Sequence, residues 1–421
     1  MLQDMRRTRI NGWFEYYRIA CPICGHTGGC MQHKDGKAIA CIRVESDRYF
    51  SKNSSLPSYL HILDSEQQRI RIKDSQLAPQ GLQKKEDTIL QTVYSTMLEC
   101  LELTDAHYAH LTSKDRQLND EQIRIRDYRS FPEQPWNTVK EMQGLLGVQG
   151  FEGVPGFYLA KGKFGQYWSI SGVDGILIPY RNVRNEIVGF QYRLDTPPND
   201  VKVQQIRDGI SAKVIKQPNL VQVTYKGEIV LEKELTMKET EKVKLGDDVL
   251  GWVTLKKGNR YYWLSSANKP QGTGSGNPAP VHISVPTKKL SSWESGKTLR
   301  AKTVWLSEGP LKTDIAADCI EKLFDPEEID VVGDTFIALP GVNSWRVCLP
   351  VLEEMEVEEI NLCFDSDVVS NPFVRKQLME AAKELHSRGY RMNMVIWNPK
   401  DGSGIDDLMV NLRLPQIKKL L

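Results

Sequence analysis

Apolar and polar positions change their rhythm several times along the chain. Residues 86–130 carry Ile89, Val93, Met97 and Leu101 at four-residue intervals, the spacing of a helix face. "LNDEQIRIRDY" adds a helix start at Asn119 or Asp120. From 131 to 300 the pattern shortens. Runs such as "GILIPY" and "IVGFQYRL" sit between Gly, Pro and Asn and predict strands with tight turns. "LVQVTYKGEIVLEKEL" continues in that style, with a hairpin turn at Lys226-Gly227, and "NKPQGTGSGNPAP" reads as a long loop. After residue 301, strands and helices alternate. "TVWLSEG" is followed by a helix with Leu311, Ile315, Cys319 and Leu323 on one face. "TFIALPG", "INLCFD" and "RMNMVIWN" are further strands. A helix around "VLEEME" precedes the second of these three. The helix "VRKQLMEAAKELHSRG" precedes the third and stops at Gly389. Alternation of this kind predicts a mostly parallel sheet.

The ends of those strands are acidic. Glu308 closes one, Asp365 and Asp367 close another, and Asp401, Asp406 and Asp407 follow a third. Parallel strands present their carboxyl ends on one rim, where ligands bind. Carboxylates gathered there repel unless cations sit among them, and all-oxygen ligands select Mg²⁺ or Mn²⁺. Such ions suit phosphoryl transfer.

Composition changes the picture at the other end. The chain has 421 residues, 40% hydrophobic and 26% charged, with a net charge of +1. It has room for several compact units, and its balance excludes a globally basic nucleic-acid coat. No run is apolar enough for a membrane span. No apolar stretch follows the first basic residues, which predicts a cytoplasmic protein. Four of the eight cysteines fall in the first 41 residues: Cys21, Cys24, Cys30 and Cys41. Cys-x2-Cys followed by Gly is a knuckle that presents two thiolates to one ion, and clustering of this kind favours zinc over disulfides. Cys30 and Cys41 are the natural remaining ligands, with His26 and His33 as competitors. Residues 1–50 hold eight Lys/Arg against five Asp/Glu, hence +3. Trp13, Phe14, Tyr16, Tyr17, Tyr49 and Phe50 lie among them. Cations beside rings suit single-stranded nucleic acid, although a small ring core with solvated charges reads equally well.

Glu-Gly after a strand, followed by a strand ending in Asp-x-Asp, resembles the TOPRIM domain of bacterial-type primases, topoisomerases and some nucleases. A zinc ribbon ahead of it resembles bacterial and phage primases. "LSEGPLKTDIA", "ALPGVNSW", "CFDSDVVSNPFV" and "GIDDLM" resemble the TOPRIM-containing replication proteins of plasmids, phages and integrative mobile elements. "GILIPYRNVRNEIVGFQYRLD" is similar to the primase segment ahead of TOPRIM, and "YYWLSS" to a later element of the mobile-element family. The resemblance covers residues ~15–50 and ~105–421. It implies an α/β protein with four parts. These are a zinc ribbon (1–50), a linker and helical segment (51–104), a mixed α+β primase-like part (105–300, with a β-rich insertion near 201–260) and a Rossmann-like TOPRIM domain (301–421). It implies a nucleotidyltransferase making short primers on single-stranded DNA from NTPs or dNTPs, beside a separate replicative helicase. Glu308, Asp365 and Asp367 would be catalytic and, with Asp406 (or Asp401 or Asp407), would hold Mg²⁺ or Mn²⁺. Many primases carry an acid four residues after the glutamate. Lys312 stands there in this chain and would contact a nucleotide phosphate, unless the metal stoichiometry differs from theirs. Arg181 and Arg193 would contact template or nucleotide, with a structural ion pair as the competing role for Arg193. The alternatives are a non-catalytic single-strand-binding module that loads a helicase or serves a mobile element, and a TOPRIM nuclease. "SSWESGKT" imitates a P-loop but has Ser291 where the first glycine belongs, which argues against an ATPase.

Overall fold

The computed structural model describes residues 5–17, 19–51, 57–63, 77–78, 82–207, 209–364 and 372–420. These fall into two compact units, Met1–Gln80 with Leu194–Tyr262, and Gly81–Arg193 with Trp263–Leu421. No helix among the described residues is long and apolar enough to cross a membrane.

Among the described residues the first unit is all β. Its N-terminal part is a sheet of short strands ordered Tyr49–Ser51, Ser58–Ile62, Ala38–Cys41, Met31–His33, Trp13–Tyr16, Met5–Arg7 and Leu77–Ala78. The segment expected as a β-rich insertion belongs to this unit. It forms two three-stranded antiparallel sheets, Asn199–Gln205 with Asp248–Lys257 and Thr240–Leu245, and Ile210–Lys216 with Leu220–Tyr225 and Glu228–Glu234. Alternating Val201, Val253, Leu255 and Val243 from one sheet meet Ile210, Val221 and Val223 from the other in a single core. Period-two patterning buries one face of each sheet in this way. The Lys226-Gly227 turn is as the sequence predicts. Both residues take positive φ, +50° and +92°, as a tight hairpin requires. The excursion ends where it began, for Leu194 N–H donates to Arg260 O at 2.8 Å.

Two cores of the second unit lie among the described residues. Helices Asp87–Glu99 and Pro135–Leu146 pack on antiparallel strands Phe157–Gly162, Gly165–Ile170, Ile176–Arg181 and Ile187–Arg193. Leu90, Val93, Tyr94, Met97 and Leu98 face inward, while Ile89, one step off that stripe, is exposed. Asn119 caps Asp120–Ile125 in a reciprocal box with Gln122.

The other core belongs to a six-stranded sheet. Strands Thr335–Leu339, Thr303–Glu308, Glu359–Leu362 and Arg391–Ile396 lie side by side and parallel. His282–Ser284 and Gln416–Lys419 close the edges antiparallel. The parallel strands are buried on both faces, as their unbroken apolar runs predict. Helix Pro310–Leu323 packs through Leu311, Ile315 and Cys319, and Pro372–Ser387 through Leu378, Ala381, Ala382 and Leu385. The P-loop imitation lies in a connection after the short helix Thr287–Ser292, with Gly296 N–H bonded to Arg184 O. Neither a leading strand nor a following helix frames it.

Candidate metal centre and acidic rim

The cysteine cluster is assembled by two local devices. The Cys21–Cys24 turn is closed by Gly25 N–H to Cys21 O (2.7 Å) and Cys21 N–H to His26 O (2.8 Å). Hairpin pairing of Met31 with Ala40 places Cys30 opposite Cys41. The four sulfurs lie within 4.8 Å of one another, with Cys24–Cys30 at 3.6 Å and Cys30–Cys41 at 3.7 Å. A tetrahedron with arms of about 2.3 Å has edges of roughly 3.8 Å, so these residues fit one zinc ion. Amide N–H groups point at the sulfurs, Ile42 to Cys30 (3.5 Å) and Arg43 and Val44 to Cys41 (3.4 and 3.3 Å). The Arg43 guanidinium adds contacts to Cys30 and Cys24 at 3.6 and 3.8 Å. Hydrogen bonding from Cys21 holds Cys24 well below the ordinary thiol value and Cys41 down to about 7, while Cys21, holding the proton, is pushed far up. Four thiols in mutual contact cannot all ionise without a cation to share, and a dication answers that conflict.

Neither histidine joins the cluster. His33 pairs with Asp35 at 2.7 Å and packs on Trp13, and His26 Nδ1 meets the Cys24 carbonyl at 2.7 Å. The neighbouring rings divide between roles. Tyr16 is buried and its hydroxyl donates to Gln32 (2.7 Å), Trp13 packs on Phe50, and Tyr49 is half exposed beside Tyr59.

At the sheet, Glu308 sits at the carboxyl end of its parallel strand, level with Leu339 of the next. Gly309, at φ +80°, turns the chain straight into helix Pro310–Leu323, which no side chain bearing a Cβ would do without strain. Lys312 lies in the first turn of that helix. Asp365 and Asp367 lie outside the described residues. Asp406, on helix Ile405–Val410, is 1% exposed. One of its oxygens accepts from Arg116 at 2.5 Å, and the other, Oδ1, is buried without a hydrogen-bond partner. Burial pushes the Asp406 carboxyl up, and Arg116 and Lys312 pull it back. Asp407 accepts from Ser403 and Asp401 lies in the preceding turn. Among the described residues, the four cysteines alone gather three or more metal-ligand groups.

Arg116 is the counter-ion of a buried acid, so its replacement by methionine leaves that acid uncompensated. Arg116→Met is expected to cost about 3 kcal/mol at pH 7. The Asp406 carboxyl then rises further. The loss is therefore present above the ordinary carboxylate range and eases as pH falls and the acid takes a proton. Thermal melts of both proteins from pH 7 to 4 should converge. Parallel curves would mean that the pair carries no such weight.

Arg181 and Arg193 are both buried. Arg181 donates to Asp127 (2.8 Å) and Asn185 (3.1 Å), and its own N–H donates to His282 Nδ1 (2.9 Å). Arg193 closes its strand opposite Ile176. Both were candidates for template or nucleotide contact, with a structural ion pair as the competing role for Arg193, and both are buried inside the second unit.

The feature that sequence reasoning missed is a buried polar knot around Asp314. Arg126 donates to Asp314 (2.6 Å), to Asp318 (2.9 Å) and to Val285 O (2.8 Å). Tyr128 O–H donates to Asp314 at 2.6 Å. His282 Nδ1 accepts the Arg181 amide, so the ring is neutral with its proton on Nε2, which donates to Asp314 at 3.0 Å. Burial alone would push Asp314 up, but Arg126 and His282 outweigh it and hold the carboxyl well below its usual range. The knot ties the helix behind Glu308 to the preceding part of its unit.

Residues 329–413 match a family model described as "Domain of unknown function (DUF3854)". No curated protein matches the chain in sequence. Among solved structures, the chain is similar to a DNA primase domain from Pseudomonas aeruginosa, with 14% identity, 76% of this chain and 74% of that one covered, and a TM-score of 0.40. It is also similar to the zinc-binding and RNA polymerase domains of the Aquifex aeolicus primase (10% identity, 97% and 80% covered, TM-score 0.40). A third likeness is the RNA polymerase domain of the Mycobacterium tuberculosis primase DnaG (13% identity, 77% and 79% covered, TM-score 0.40).

Proposed function

We propose that this chain is a primase-like nucleotidyltransferase of the TOPRIM kind, acting on single-stranded DNA in the replication of a mobile element, plasmid or phage. The observation that carries the reading is the buried, unpartnered Oδ1 of Asp406 beside Lys312, in the unit that sets Glu308 at the carboxyl end of a parallel strand. A buried carboxylate oxygen without a partner is costly unless it receives a cation, which fits a divalent ion. Mg²⁺ or Mn²⁺ there would neutralise charge on a transferring phosphoryl group. Asp406 and Glu308 would hold it, together with Asp365 and Asp367. Lys312, a point charge on a flexible stem, would steady the nucleotide phosphates. The four-cysteine module would carry a structural zinc ion and face the template, and a separate helicase would supply unwinding.

The test is primer synthesis on single-stranded DNA with labelled NTPs or dNTPs, under Mg²⁺ or Mn²⁺. Wild type should give short products. Glu308→Gln and Asp365→Ala should each lower the yield about 100-fold or more, the loss of several kcal/mol of charge stabilisation. One observation favours a second reading, a non-catalytic single-strand-binding module that loads a helicase. Arg116 already neutralises Asp406. Absence of product under every metal, with DNA binding intact, would select it.

A further inference from the structure

A two-residue turn, Lys163-Phe164, joins strands Phe157–Gly162 and Gly165–Ile170 of the second unit. The root of this hairpin is firmly held. Phe157, Trp168 and Ile170 are buried, and Phe157 stacks on Phe151 at 4.6 Å. The tip is the opposite. Phe164 is 97% exposed, and Lys161, Lys163 and Tyr167 are exposed with it.

A single exposed ring needs no explanation, but this one has company on an ordered face. Pairing of Tyr158 with Ser169 and of Ala160 with Tyr167 puts Tyr158 and Tyr167 on the same face as diagonal neighbours. The positions around them are small: Ala160, Gly162, Gly165 and Ser169. A Cβ at Gly162 would stand 2.9 Å from Tyr167 Cε1, so glycine there lets the ring lie across the hairpin. Cations flank the rings. Lys269 Nζ lies 5.3 Å from the Tyr158 ring and Lys163 Nζ 5.6 Å from that of Phe164. Leu159 N–H donates to Pro270 O at 2.9 Å, which fixes the Lys269 loop against the strand. Neither the hairpin 157–170 nor the loop 267–272 contains an acid.

We propose that this hairpin is a stacking platform for the unpaired bases of single-stranded DNA, with Phe164, Tyr167 and Tyr158 as the rings and Lys163 and Lys269 as the phosphate contacts. Rings on a rigid support offer a π-face to any base, and acid-free cations beside them match a polyanion. The inference rests on the nucleic-acid partner of the proposed function and not on its chemistry.

The test is anisotropy of a labelled oligo-dT with the full chain, across a salt series. Phe164→Ala/Tyr167→Ala should weaken binding at least about fivefold, leave the salt slope unchanged and leave the melting temperature unmoved. Phe164→Trp should bind as wild type. Lys163→Gln/Lys269→Gln should lower the magnitude of the slope by about 1. Affinity within twofold of wild type in the ring double variant, no oligonucleotide binding by wild type, or equal loss on blunt duplex would each overturn the proposal. Glu308→Gln separates the two readings, since it should bind like wild type while its primer yield falls about 100-fold or more. If wild type makes primers and the ring variant binds normally, only the platform fails. If the ring variant loses binding while wild type makes no primers, only the chemistry fails.

Discussion

Cys24→Ser is expected to leave the purified protein without its zinc and to unfold the N-terminal part of the first unit. The apolar cluster of that part consists of Tyr16, Cys21, Cys30, Ile39, Cys41 and Leu63, so half of its fully buried members are metal-ligand candidates. With the sulfurs unbridged, Tyr16, Ile39 and Leu63 are the buried members left to hold seven short strands, far below what a domain of that size needs. A structural zinc ion contributes about 10–16 kcal/mol to folding of such modules, and one lost ligand forfeits most of it. Metal analysis should find one zinc per wild-type chain and none in the variant. Hydrogen exchange should show the Ile42, Arg43 and Val44 amides, bonded to sulfur in the native state, losing protection. Full protection in a metal-free Cys24→Ser protein would show that the strands stand without it.

The second large effect is expected at Asp314. Asp314→Asn removes the charge that Arg126, Tyr128 and neutral His282 all address, and leaves Asp318 as the one carboxylate that the guanidinium bonds among the described residues. Breaking one member of a buried charged network costs about 3–5 kcal/mol. The carboxyl lies below its ordinary value in the fold. Its contribution is therefore complete above about pH 4 and is lost as pH falls toward the folded value. Wild type and Asp314→Asn should differ widely in melting temperature at pH 7 and draw together below pH 4. A constant gap would assign the destabilisation to shape and not to charge.

This knot marks the boundary of what could be read in the sequence. Parallel strands, their order of helices and the cysteine cluster were legible because each rests on local rhythm or spacing. Glycine after Glu308 and glycine at position 389 announced a tight turn and a helix end. The knot was not legible, because its members stand at positions 126, 128, 181, 282 and 314, and a lone Arg or Asp in sequence looks like a solvated charge. The same holds for Arg116 and Asp406, which meet only in the fold. Arg181 is buried for a related reason. Its place at the end of an apolar strand is the local sign of burial. The carboxylates that opened the functional question, Asp365 and Asp367, lie outside the described residues, and their place at the rim stays part of the proposal.

The Leu194–Arg260 hydrogen bond has a kinetic consequence. An excursion of that length, inserted between two paired strands, would oblige the second unit to close a large loop before Phe190 could bond to Leu264 at 2.9 Å. The entropy of closing a loop rises as the logarithm of its length, and slow topologies are those that meet this cost before any contact rewards it. An insert that gathers its own two ends removes most of that cost, because the remainder of the chain then meets a short connection. Early folding of residues 194–262 would therefore hasten assembly of the unit that carries Glu308, and mutations at Val221 or Val253 would slow it without touching a single residue of the acidic rim.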